Sequence, residues 1–114
     1  MWRDDALLLD ILIAASDART FVKDVDWEAF QESHLHQNAV IRALEIIGEA
    51  ASKLSSEFTS AHPVIPWRNI INMRHRFIHA YSDVRLDVVW DVVQNDLPPL
   101  VAVLEPFIPP DTSA

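Results

Sequence analysis

The sequence predicts an all-α fold, an antiparallel bundle of four to five helices that pairs with a second copy of itself. Three observations carry this expectation. Half of the 114 residues are hydrophobic, with four Trp and five Phe, so the chain holds enough apolar surface for a core of its own. There is a single Gly, and no Asn-Gly or Asp-Gly step of the kind that closes β-hairpins. Apolar residues recur at intervals of three and four along most of the chain, which is the period of a helix with one buried face.

The length suits one domain, taken as residues 1–108 with a frayed tail over 109–114. The first helix is expected from Asp4 or Asp5, as N-cap, to about Thr20, with Leu8, Ile11, Leu12 and Ala15 on one stripe. Asp24 or Asp26 can cap a short second helix that carries Trp27 and Phe30. A long third helix is expected from about Ser33 to Phe58. Its residues Val40, Leu44, Ile47, Ala51, Leu54 and Phe58 follow alternating steps of four and three, the seam of a helix lying nearly parallel to its neighbours. Ile41, Ile46 and Ala50 add apolar surface beside that seam, enough to face a second partner. Gly48 lies within it, where glycine costs about 1 kcal/mol relative to Ala, so a close approach by another helix is its expected reason.

Residues Ser55 to Pro66 read as a loop, and Pro66 suits the first turn of a helix carrying Ile70, Ile71, Met73, Phe77 and Ile78 towards Tyr81. A last helix should start near Asp83 or Leu86 and present Val89, Trp90, Val93, Leu97, Leu100 and Leu104, with Pro98 and Pro99 kinking or restarting it.

With no cysteine, disulfides, thiolate catalysis and Cys-based zinc sites are excluded, and the cytoplasm is the expected location. The longest apolar run, residues 6–15, is interrupted by Asp10 and too short to cross a bilayer, so neither a signal peptide nor a membrane contact is expected. The net charge of −8 argues against nucleic-acid binding until its distribution is considered. From Phe58 to Ser82 there is no Asp or Glu, whereas Arg68, Arg74, Arg76, His62, His75 and His79 all lie there. That stretch holds three formal positive charges and leaves −11 on the remainder, so it is where a polyanion could approach.

Within it, Met73-Arg-His-Arg-Phe-Ile-His-Ala-Tyr81 places Arg74 five residues before His79, and Tyr81 two residues further. Composition alone gives about 0.3 Arg/His pairs at that spacing, so the pair needs context. Arg74 could equally be the partner of a carboxylate such as Glu45 or Glu49, His79 a core histidine bonded to a carbonyl, and Tyr81 a core aromatic. His75 and His79 are spaced like two helical zinc ligands, but Arg76 between them puts a cation where the metal would sit. Glu45 and Glu49 share a helix face and are expected to pair with Arg42, Arg74 or Arg76, and His34 and His36 to line a solvated helix start.

The context comes from several linked segments in order: an apolar first helix, AVIRALEIIGEA over 39–50, HPVIPWRN over 62–69, MRHRFIHAY over 73–81 and VWDVVQNDLP over 89–98. In these the chain resembles the HepT-like branch of the HEPN superfamily over nearly its whole length. The resemblance implies a toxin with ribonuclease activity and Arg74 and His79 as catalytic residues in a cleft between two copies, and His75 and Arg76, next to Arg74, are expected as supporting residues. It departs from the family in having His75 where a polar residue such as Asn is common. The resemblance further implies an antitoxin partner, a nucleotidyltransferase of the MntA type that transfers AMP from ATP to Tyr81. The chemistry agrees, because RNA cleavage by its own 2′-hydroxyl needs no metal or other cofactor, only a group that moves protons near neutral pH and a fixed cation for the phosphorane. His79 suits the first role and Arg74 the second. In a regular helix, however, five residues turn through about 500° and leave the two roughly 140° apart. A helix end near His79, the reach of Arg74, or side chains from two copies must therefore complete the site. The other readings are a non-catalytic subunit that binds nucleotide or scaffolds the transferase, and a plain helical dimerisation module.

Overall fold

The computed structural model describes residues 2–78 and 85–107, with side chains over 4–72 and 85–107. All its regular structure is helical. In chain order it comprises α1 (Trp2–Phe21), α2 (Trp27–Glu32), α3 (His34–Ser52), α4 (Ser56–Ala61), α5 (Trp67–Ile78), α6 (Leu86–Asp91), a π-helical turn (Val92–Asp96), α7 (Leu97–Leu104) and a 3₁₀ turn (Glu105–Phe107). No helix among the described residues is long and apolar enough to cross a membrane.

The core forms where the sequence places its apolar stripes. Leu8, Ile11 and Ala15 of α1 pack with Val40, Leu44, Ile47 and Ala51 of α3, all essentially removed from water. Removing such side chains from solvent is worth about 1.5–3 kcal/mol for each Leu or Ile, and this burial holds the α1 and α3 faces together. Val89, Val93, Leu97 and Leu104 close the core from the C-terminal side. Trp90 lies against Trp27 and Phe30, with ring centroids 5.8 and 5.1 Å away, and so fastens α2 to α6. Asp26 caps α2 as expected, its carboxylate accepting from the Ala29 amide at 2.8 Å.

Two boundaries depart from the sequence reading, for one shared reason. The helix α1 begins at Trp2, so Asp4 stands within its first turn rather than at its cap. Its buried carboxylate accepts from the Ser55 amide (3.0 Å) and hydroxyl (2.6 Å), 51 residues away. Ser55, held there in extended backbone, caps α4 by accepting from the Phe58 amide at 3.1 Å. The third helix consequently stops at Ser52, and Phe58 belongs to α4, inside what the sequence presented as a loop. The apolar spacing continues across the break because Leu54 and Phe58 still face apolar neighbours.

Gly48 has the role its position suggests. A Cβ added there would lie 3.2 Å from the Ile70 carbonyl oxygen and 3.6 Å from that of Ile71, so α5 crosses α3 in contact with its backbone. The last helix runs from Leu86 to Leu104, and its π-helical turn precedes Pro98 and Pro99 directly. Proline has no amide hydrogen, and its ring clashes with the preceding turn of a regular α-helix. The turn therefore widens, and the Leu97 amide donates to the Val92 carbonyl five residues back.

Candidate functional site

Two supports position the described part of the acid-free stretch. The first is α4 with the turn that follows it. There the His62 ring lies between Phe58 and Phe107, with centroids at 4.4 and 4.6 Å, and the Trp67 indole N–H donates to the His62 carbonyl at 3.1 Å. This pins the end of the turn to the start of α5. Pro66 stands immediately before the helix, and its carbonyl accepts from the Ile70 amide at 3.1 Å as the first helical bond.

The second support is the α3–α5 crossing at Gly48. Ile70 is buried and Ile71 half-buried against it, while Arg68, Asn69 and Asn72 are exposed. The backbone of Arg74 follows Ile70 by one turn of α5, with His75 and Arg76 next on the same helix. The side chains of these three lie outside the described residues, as do His79 and Tyr81 entirely. Thus α5 joins the backbones of Arg74, His75 and Arg76 on one rigid element, and the geometry between Arg74 and His79 stays an expectation.

The next described residues after Ile78 are Arg85 and the start of α6. Arg85 donates through Nε and Nη2 to Asp87 at 3.0 and 2.9 Å, and this bond holds the Asp87 carboxyl below its usual pKa. The pair is exposed and orders the helix start more than it stabilises the fold.

Glu45 and Glu49, weighed above as partners for Arg42, Arg74 or Arg76, each have a cation beside them among the described residues. Arg42 lies 3.4 Å from Glu45, and Lys53 lies 3.5 Å from Glu49. His36 bonds through Nδ1 to the Ser33 hydroxyl, which also caps α3, whereas His34 is exposed. Among the described residues no three His, Asp or Glu side chains are grouped so as to hold a metal ion.

Spacing along the chain could not reveal the groove that runs beside α5. It is about 300 Å³ in volume and lies between the start of α5 and the helix containing the π-turn. Its walls are mostly apolar, and Asn69, Asn95 and Asp96 are its polar side chains.

An all-helical bundle whose basic stretch leads into an Arg-x₄-His-x-Tyr segment is the class of protein that fold and sequence together define. The family described as ribonuclease HepT-like matches residues 11–107, and the chain belongs to it. A protein of Methanocaldococcus jannaschii provisionally named an RNase is 37% identical over 100 residues, covering 88% of this chain and 92% of its own length. A Thermococcus cleftensis protein, provisionally named ribonuclease HepT, is 42% identical over 98 residues, covering 86% of this chain and 89% of its own. A provisionally named RNase of Caldanaerobacter subterraneus is 37% identical over 79 residues, or 69% and 70% of the two chains. No solved structure matches the chain.

Proposed function

We propose that the protein is the toxin of a toxin–antitoxin pair, a ribonuclease that cleaves RNA without a metal ion or other cofactor. The observation that carries this reading is the family match, which spans residues 11–107 and so includes the whole of Arg74 to Tyr81. In the mechanism His79 takes the proton of the RNA 2′-hydroxyl as its oxygen bonds to phosphorus, the bond from phosphorus to the 5′-oxygen breaks and that oxygen leaves protonated, and the Arg74 guanidinium stabilises the charge that develops on the phosphorane. His75 and Arg76, the neighbours of Arg74 on α5, raise the local positive potential that draws the phosphates in. The cleft forms between two copies of the chain, which meets the roughly 140° problem by letting Arg74 and His79 come from different copies. An MntA-type nucleotidyltransferase restrains the toxin by transferring AMP from ATP to the Tyr81 hydroxyl, with pyrophosphate as the leaving group. The added phosphate puts negative charge and bulk where the RNA phosphate must sit.

The test is incubation of the purified protein with labelled RNA in EDTA, beside Arg74→Ala and His79→Ala. Wild type is expected to cut, and each variant to lose 10²-fold or more, on the order of one acid–base or charge-stabilising group, while keeping its helical circular dichroism. Cleavage that requires a divalent ion, or variants as active as wild type, would overturn the reading.

A further inference from the structure

We propose that the groove between α1 and α3 seats the same groove of a second copy, in an interface separate from the cleft at the Arg74 segment. The groove is about 400 Å³ in volume, with Ile13 and Phe21 of α1 and Ala39, Ala43 and Ile46 of α3 as its apolar wall. Ile13 is 52% exposed and Phe21 38%, so the chain's own core covers neither of them fully. Large apolar side chains grouped in water on a pair of long helices mark a surface that another body covers.

The two sides of the groove complement each other, and this selects a second copy as the occupant. The α1 side contributes the large Ile13 and Phe21, and the α3 side contributes two alanines, so a ridge faces a hollow. The charges divide in the same way. Asp17 of α1 forms no hydrogen bond or ion pair among the described residues. Arg42 of α3 donates through Nη1 to Glu45 at 3.4 Å, an exposed contact that leaves the other N–H groups of its guanidinium open.

The fold sets these groups at matching heights. Asp4, in the first turn of α1, bonds Ser55 just beyond the end of α3, so the two helices run antiparallel. Counting inward from that bond puts Ile13 level with Ile46 and Asp17 level with Arg42. A two-fold axis parallel to both helices lays α1 of each copy on α3 of the other and keeps every residue at its own height. Ile13 and Phe21 then face the alanine side of the other copy, and Asp17 faces its Arg42, once on each side of the axis. Asp10 comes level with the exposed Glu49 and Lys53, whose charges cancel. An axis across the helices would instead lay α1 on α1 and bring Asp10 towards Asp17 of the other copy, which like charges oppose. Round α3, Ala39 and Ile46 stand about 180° and 160° from Gly48, where α5 crosses, so the groove and α5 lie on opposite sides of α3. The interface leaves α5 uncovered, and together with the cleft pairing it makes an assembly of four copies.

Sedimentation equilibrium of the intact protein over micromolar concentrations reads the interface directly. Wild type is expected at four copies and Ile13→Glu at two, its association weakened about tenfold or more by a carboxylate placed against the apolar wall. Ile13 is exposed, so the variant should keep the circular dichroism of wild type, which establishes that it folds. Asp17→Arg and Arg42→Asp, each alone, set like charges across the axis and should also stop at two copies. Mixed in equal amounts, these two variants should associate with each other, because each supplies the charge that the other lacks. An effect confined within one chain could not be rescued by mixing. A wild type no larger than folded Ile13→Glu, as when the groove takes a different protein, overturns the proposal, and so do charge variants that assemble alone or fail to associate when mixed. If wild type holds two copies and Ile13→Glu one, the groove interface stands and the separate cleft pairing fails.

Discussion

Gly48 separates two opposing effects whose sizes can be compared. Alanine in its place gains about 1 kcal/mol of helix propensity, because glycine gives up more backbone freedom on entering a helix. The new methyl carbon would stand 3.2 Å from the Ile70 carbonyl oxygen, closer than ordinary contact, and the obstacle is the backbone of α5 rather than a side chain that could swing away. Relief requires α5 to shift by a few tenths of an ångström against a core in which Ile70 is already buried. Overpacking of this kind costs about 1–3 kcal/mol, so Gly48→Ala should fall between no net change and a loss of about 2 kcal/mol. Gly48→Val adds two further methyl groups in the same place, forgoes part of the propensity gain, and should lose about 2–3 kcal/mol. Urea denaturation at fixed protein concentration measures both. In a domain of this size the Val variant should melt some 8–12 °C lower, at about 4 °C per kcal/mol. The reasoning fails if Gly48→Ala is stabilised by the full propensity gain, or if Gly48→Val unfolds with the wild type, for then α5 does not touch α3 there.

Asp4→Ala should cost about 2–3 kcal/mol, because it leaves the Ser55 amide without its charged acceptor and loosens the cap of α4. The neighbouring exposed Asp5→Ala should stay within about 0.5 kcal/mol, and the difference between their urea midpoints is the readout. The antitoxin with ATP should add AMP to wild type and none to Tyr81→Phe, which keeps the ring and lacks only the phenolic oxygen. Mass spectrometry of the tryptic peptide from Phe77 to Arg85 checks this, and AMP found on another residue would remove Tyr81 from the scheme.

The helical core was legible in the sequence because burial there is governed by local period. Leu8, Ile11, Val40, Leu44, Ile47, Val89, Val93 and Leu97 all stand at helical spacing, and all are buried. The division between α3 and α4 was not legible, because its cause is not local. Residues 53–55 carry no proline or glycine, and the apolar seam runs straight through them. What stops the helix is a carboxylate 51 residues earlier that competes for the Ser55 amide, and no window along the chain contains both groups. Gly48 was legible for the opposite reason. A glycine inside a strong helical pattern is a local cost that needs a local return, and a crossing backbone is the usual one.

The same distinction holds for the site. The Arg74 to Tyr81 segment is contiguous, so its acid-free surroundings and its spacing could be read directly, and the family match covers it. The groove is assembled from Pro66 and Asn69 on one side and Asn95, Asp96 and Pro99 on the other, about thirty positions apart, and only packing brings them together. Its one sequence sign is Pro98-Pro99 in the middle of an apolar helix. Read locally, the prolines indicate a kink, and in space they follow a widened turn whose Asn95 and Asp96 line the groove beside α5. A pair of prolines that weakens a core helix thus marks a place where the wall of the bundle has been opened, and the opening lies beside α5, whose backbone includes Arg74.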